Sequence, residues 1–74
     1  MARLVVRSDL ADALAWARAE RDRRLAASDW TQAPDNRLTD VQRAAWRLAR
    51  AEWRAVVDDI KAGVTPRPWA AEPV

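Results

Sequence analysis

This chain contains no cysteine, no histidine, no tyrosine and no phenylalanine, and only one glycine among its 74 residues. Each absence removes a class of protein. Without cysteine there is no disulfide framework, and without cysteine or histidine the usual zinc sites are gone. Nucleophilic catalysis wants Ser, Cys or Lys beside a base, most often His. General acid–base work near neutrality uses His or a carboxylate of raised pKa. The only lysine is Lys61 and the only adjacent acid pair is Asp58-Asp59. Successive helical side chains point about 100° apart, so that pair cannot converge on one substrate. A lone Gly63 leaves no loop to cradle phosphate. The composition reads as a non-enzyme with no cofactor and no metal.

Long hydrophobic runs are missing too. No segment is apolar enough to span a membrane, and no signal peptide is visible at Met1-Ala2-Arg3-Leu4-Val5-Val6-Arg7. The formal charge is only +2 although the pI is near 10.4. A global field that would gather nucleic acid is therefore weak. A chain this short buries a small fraction of its surface and needs good packing or a partner to be stable.

What is present is helix-forming. Residues 3–7 are short and β-prone, and read as an extended N-terminal arm over 1–8, with a strand on a partner's sheet as the alternative. Ser8 and Asp9 then signal a helix over about 9–27. Its apolar stripe is Leu10, Leu14, Ala17, Arg21, Leu25 and Ser28, with Trp16 off to one side. The connector, about 28–39, is dense in turn formers. Thr39-Asp40-Val41-Gln42 fits the capping-box pattern, and Gly63 followed by Pro66 is a stop signal, which sets a second and longest helix over about 40–62. Thr65-Pro66-Arg67-Pro68-Trp69 is too rich in proline for a helix, so 64–74 should be an extended tail. The predicted fold is all-α: a two-helix antiparallel hairpin over 9–63 with an extended arm and a Pro-rich tail.

The second helix carries Trp46, Ala49, Trp53, Val56, Val57 and Ile60 on one side, widened by Val41, Ala44, Leu48 and Ala55. Arg43, Arg47, Arg50, Arg54 and Lys61 are assigned to the opposite side, interrupted by Asp58. The narrow stripe of the first helix cannot cover so wide an apolar face, so a second copy or another protein is expected there. Five tryptophans in so short a chain are either core or hot spots of an interface. Trp46, Trp53, Val57 and Ile60 are candidate partner contacts, with Trp46 and Trp53 equally placed to be core. Trp16 and Trp69 are harder to seat in a hairpin core and fit better as partner anchors. The Arg43, Arg47, Arg50 and Arg54 stripe would face solvent, an acidic protein surface or phosphates. In the connector, Asp29 should accept backbone hydrogen bonds in the turn that ends the first helix. Pro34-Asp35 should set a second turn, and Trp30 should be largely buried between the helices.

Several of these residues also carry a resemblance. Arg24-Leu25, the connector string Asp29-Trp30-Thr31-Gln32-Ala33-Pro34-Asp35 after Ser28, Arg43-Ala44-Ala45-Trp46, and the pair Arg50 and Arg54 together resemble the phage tail assembly chaperone domain. The resemblance spans roughly residues 21–57. Two positions depart from its pattern: the family's usual Tyr is Ala49 here, and its usual Leu is Trp53. Residues 1–20 and 64–74 fall outside the resemblance and are where partner choice would lie.

The resemblance implies a phage tail-associated protein that acts by docking. It would be a tail or tail-fibre assembly chaperone, or a small structural component of the tail tip, with a tail protein or a second copy as partner. It would work in the host bacterial cytoplasm during assembly or stay in the virion tail. The other function class is a nucleic-acid-binding or regulatory helical protein using the arginine stripe. Phosphate binding weakens steeply and log-linearly with salt, which separates the two. Low net charge disfavours nucleic acid.

Overall fold

The computed structural model describes residues 7–73. Helix α1 spans Arg7–Ser28, a 3-10 turn spans Asp29–Gln32, and α2 spans Asp40–Lys61. The two helices pack as a hairpin, and no strand occurs among the described residues. Both helices have 22 residues, so α2 is not the longest element. The first helix starts about a turn-half earlier than residue 9 because nothing between Arg7 and Ser28 breaks it: there is no Gly or Pro, and Ala, Leu, Arg and Glu propagate helix well. Of the arm expected over 1–8, Arg7 and Ser8 are therefore helical, and the rest lies outside the described residues.

The ends of α2 follow from local chemistry. Thr39 Oγ1 accepts from the Gln42 backbone N–H at 3.1 Å, while Gln42 Oε1 accepts from the Thr39 N–H at 2.8 Å. This reciprocal capping box satisfies two otherwise orphaned donors. At the other end Gly63 takes φ +75°. Its N–H donates to Ile60 O at 3.1 Å and that of Val64 to Asp59 O at 3.1 Å. Those two bonds form a Schellman cap, which needs a residue in the left-handed region and hence a glycine.

The core is a stripe of α2 closed by α1 and by the C-terminal tail. Trp46, Ala49, Trp53, Val56 and Val57 are buried, together with Ala17 of α1. Leu25, Leu38, Trp69 and Ala70 pack against the Trp46–Ala49–Trp53 cluster. Trp30, Trp46 and Trp53 form a ladder of edge-on contacts, with ring centroids 6.0 and 6.5 Å apart. Such T-shaped pairs suit the ring quadrupole.

Trp53 is fully buried, so it is core and not a surface for docking in this conformation. Replacing it with Ala should cost about 3–5 kcal/mol. A domain of this length holds roughly 4–11 kcal/mol in all. Trp53→Ala should therefore lower the thermal midpoint sharply or abolish the helical circular dichroism signal at room temperature. An unchanged midpoint would remove Trp53 from the core.

Candidate functional site

Three places on the hairpin gather the residues that the sequence singles out: the connector, the seat of the tail, and the outward face of α2.

The connector is organised around Arg50. Counting four residues at about 100° each puts Arg50 only about 40° from Trp46 around the helix, nearer the apolar side than Arg54 at about 80° and Arg47 at about 100°. It is 7% exposed. Its Nη1 donates to Leu25 O at 2.9 Å and to Ser28 Oγ at 2.6 Å, and its Nη2 donates to Asp29 Oδ1 at 2.8 Å. The last turn of α1 contains no basic residue of its own. Arg50 reaches across from α2 to supply the cation that the negative end of the α1 dipole favours, and to bond Leu25 O, which also accepts from Ser28 Oγ at 3.3 Å. Ser28 Oγ also donates to Arg24 O at 2.7 Å, and Thr31 Oγ1 donates to Ser28 O at 2.7 Å. Ser28 and Thr31 are both buried.

Asn36 holds the second half of the connector. Its Nδ2 donates to Trp30 O, Thr31 O and Ala33 O at 3.0, 2.9 and 2.6 Å. Its Oδ1 accepts from Leu38 N at 3.0 Å and from Arg43 Nε at 3.2 Å. Pro34 and Asp35 occupy the turn that Asn36 closes. Gln32 is exposed, with its Nε2 donating to Thr31 Oγ1 at 2.8 Å.

Two expectations about this segment are corrected. Asp29 accepts from the Arg50 guanidinium, and no backbone donor to its carboxylate is found among the described residues. The buried cation outcompetes the local turn, because charge-assisted bonds are the stronger kind. Trp30 is 53% exposed. It leans edge-on against Trp46 from outside, since Arg50 and Thr31 already fill the space between the helices.

The tail does not extend away from the hairpin. Arg67 Nε and Nη2 donate to Asp59 Oδ2 and Oδ1 at 2.8 and 3.1 Å, and Nη1 donates to Glu52 Oε2 at 3.1 Å. The Arg67 backbone N–H also donates to Asp59 Oδ2, at 3.0 Å. Two residues on, Trp69 meets Trp16 edge-on with centroids 6.4 Å apart. The Arg24 guanidinium lies 5.2 Å from the Trp69 centroid and 5.6 Å from that of Trp53. It is steadied by Glu20 Oε1 at 2.8 Å. Finally Trp53 Nε1 donates to Ala70 O at 2.8 Å. Trp16 and Trp69, expected as anchors for another protein, are thus brought together within the chain, although Trp16 stays 65% exposed. Side-chain and backbone bonds from Arg67 hold the Asp59 carboxyl below its ordinary value. Bonds from Arg23 and then Arg24 hold Glu20 at about 2.

The outward face of α2 remains uncovered. Val41 is 80% and Leu48 70% exposed. Ala44, Ala45 and Ala55 beside them are half-buried, and Arg47, Arg54, Asp58 and Lys61 are exposed. The arginine stripe is thus broken: Arg50 points inward and Arg43 bends to Asn36, whose backbone O accepts from its Nη2 at 3.2 Å. Ile60 sits elsewhere, in an apolar groove with Leu10, Ala13, Val64 and Pro66. Val57 is buried. No cluster of carboxylates able to hold a metal ion exists among the described residues, and no described helix is long and apolar enough to cross a membrane.

Residues 14–62, which comprise nearly the whole hairpin, match a family described as phage tail assembly chaperone protein. No curated protein and no solved structure matches the chain.

Arg50→Ala would take the charged donor from the buried Ser28 hydroxyl and the part-buried Leu25 carbonyl, and should cost about 3 kcal/mol by denaturant titration. Arg50→Lys should recover part of this, since an ammonium can keep one or two bonds but not the fork. Equal midpoints for wild type and both variants would overturn the clasp. The tail should respond to acid. A carboxylate whose folded pKa is lowered stabilises the fold above its unfolded value, and that contribution is lost as pH falls through the folded one. Asp59 lies below 3.8 and Glu20 falls from 4.5 to about 2. Between about pH 4 and 2 the Trp53 indole N–H resonance should move to its solvent-exposed position ahead of helix loss. Simultaneous loss of both signals would contradict this.

Proposed function

Because this chain belongs to the phage tail assembly chaperone family, we propose that it acts without catalysis, by docking on a phage tail or tail-fibre protein. The family match over residues 14–62 carries this reading. The surface that fits the task is the outward face of α2. Val41 and Leu48 there are large, apolar and exposed, on a helix whose opposite side is already committed to its own core. Covering such residues on an aggregation-prone partner before assembly would be the chaperone's action, by occupancy alone. Arg47 and Arg54, exposed about a third of the way round the helix from Leu48, would steer an acidic partner, setting orientation and association rate more than raw affinity. With Arg43 and Arg50 turned inward, too few exposed arginines share this face for the phosphate-tracking stripe a nucleic-acid binder needs.

The protein would act in the host bacterial cytoplasm while tails assemble. Retention as a small component of the tail tip is the alternative fate, and mass spectrometry of purified particles distinguishes the two.

A phage lacking this protein should assemble complete tails when wild-type chain is supplied. Supplying Leu48→Glu should reduce complete tails at least fivefold by electron microscopy, since a central contact is worth more than about 1 kcal/mol. That variant should keep full helicity, because Leu48 touches no core. Full complementation by Leu48→Glu would sink the assignment of this face.

A further inference from the structure

The C-terminal tail meets the hairpin the way a bound peptide meets its receptor. Val64 to Pro73 has no helix or strand after a bend at Val64, and prolines stand on either side of Arg67, a composition that preorganises polyproline II backbone at little entropic cost. Its hold on the hairpin uses three kinds of contact. A carboxylate pair, Glu52 and Asp59, takes the forked guanidinium of Arg67. A slot between Trp16 and Arg24 takes the indole of Trp69. The Trp53 indole N–H takes the next carbonyl, that of Ala70. Aromatic-lined grooves that dock proline-rich segments are an established way of recognising extended chains.

None of these contacts depends on the tail being covalently joined. The carbonyl is main chain, which any residue provides. Arg67 is 41% and Glu52 49% exposed, so that pair is solvent-screened, while Asp59, 15% exposed, carries the firmer forked half of the hold. The tail also begins directly after Gly63, whose φ of +75° favours glycine.

We propose that this seat is a peptide-binding groove, selective for an extended, proline-flanked segment of another protein carrying a basic residue two places before an aromatic one. The chain's own tail is its resting occupant and competes with that segment. Glu52 lies one helical turn beyond Leu48, but Val41 and Leu48 make none of these contacts, so peptide binding here and complementation by Leu48→Glu are read out separately. An attached competitor acts at an effective concentration in the millimolar range. The groove is therefore closed to weak ligands and opens to a segment that binds better or is presented in many copies.

The test uses full-length protein and a fluorescent synthetic peptide of residues 64–73. Arg67→Glu places a negative charge against Glu52 and Asp59 and should release the tail while leaving the hairpin helical. The peptide should bind this variant at least tenfold more tightly than it binds wild type, by fluorescence anisotropy. A peptide itself carrying Arg67→Glu should bind neither. Trp69→Ala is the second variant and should open the groove in the same way. Equal affinity for wild type and both variants, or no binding to a helical variant, overturns the proposal. Melting of both variants overturns it too, since the tail would then be a fixed part of the core. If release of the tail instead produces dimers by sedimentation, the occupant is a second copy and the proposed partner is wrong.

Discussion

The guanidinium of Arg50 is the interaction on which the rest of this small structure depends. Among the described residues it is the one buried cation, and it ties together three groups at the other helix end: Leu25 O, Ser28 Oγ and Asp29 Oδ1. An α-helix that stops without glycine, and with no basic residue in its last turn, needs its carbonyls satisfied from elsewhere. Here the donor comes from the middle of the returning helix. That requirement fixes how far along α2 the end of α1 must sit, and so fixes the register of the whole hairpin. Trp46 and Trp53, four residues before and three after Arg50, are placed against α1 as a consequence. Cutting the connector loose would leave the tryptophan ladder without a reason to align.

Size explains why the tail is recruited. Two helices enclose a core on two sides only, and a wide indole such as Trp53 reaches beyond them. Burying an indole N–H without a partner is costly, and carbonyls in the interior of a helix are already used in its own ladder. An extended segment does have free carbonyls, and Ala70 provides one. No buried side-chain polar atom is left unpartnered among the described residues. The tail therefore completes the core while keeping the chemistry of a ligand, since its carbonyl, its cation and its aromatic ring could all come from another chain.

Much of the fold was legible because its signals are local. The capping box at Thr39–Gln42 and the Gly63 stop each involve residues within a few positions of one another, and their spacing alone fixes the ends of α2. The buried stripe of α2 was legible from its period for the same reason. Arg50 is different. Its angular position among Trp46, Trp53 and Val57 was readable, but a charged residue is almost never fully buried unless paired, so chemical type outweighed position and it was grouped with the exposed arginines. Its partners lie 21 to 25 residues away, a distance over which sequence carries no spacing signal. Asn36 was hidden similarly: a single side chain that bonds Trp30, Thr31, Ala33, Leu38 and Arg43 looks in sequence like one more turn former. The seating of the tail was the least legible of all. Proline spacing excludes a helix there but says nothing about where that backbone lies.

The two departures from the family pattern acquire a physical meaning in this light. Ala49 stands where the resemblance leads one to expect Tyr, and Trp53 where it leads one to expect Leu. Both side chains are buried in one cluster with Trp46, one turn apart. Loss of volume at 49 is matched by gain at 53, and cores tolerate such exchanges best when total volume is kept. The exchange is not neutral for the rest of the chain, however. Leu has no donor, whereas the Trp53 indole N–H must be satisfied, and it is satisfied by Ala70 in the tail, beyond the matched residues. Moving the aromatic ring by one helical turn is thus what gives the hairpin a polar hook for an extended segment. The core substitution and the tail that answers it form a single unit, and this chain's own features of recognition should be sought at Trp53 and its seat, not in the connector that resembles the family.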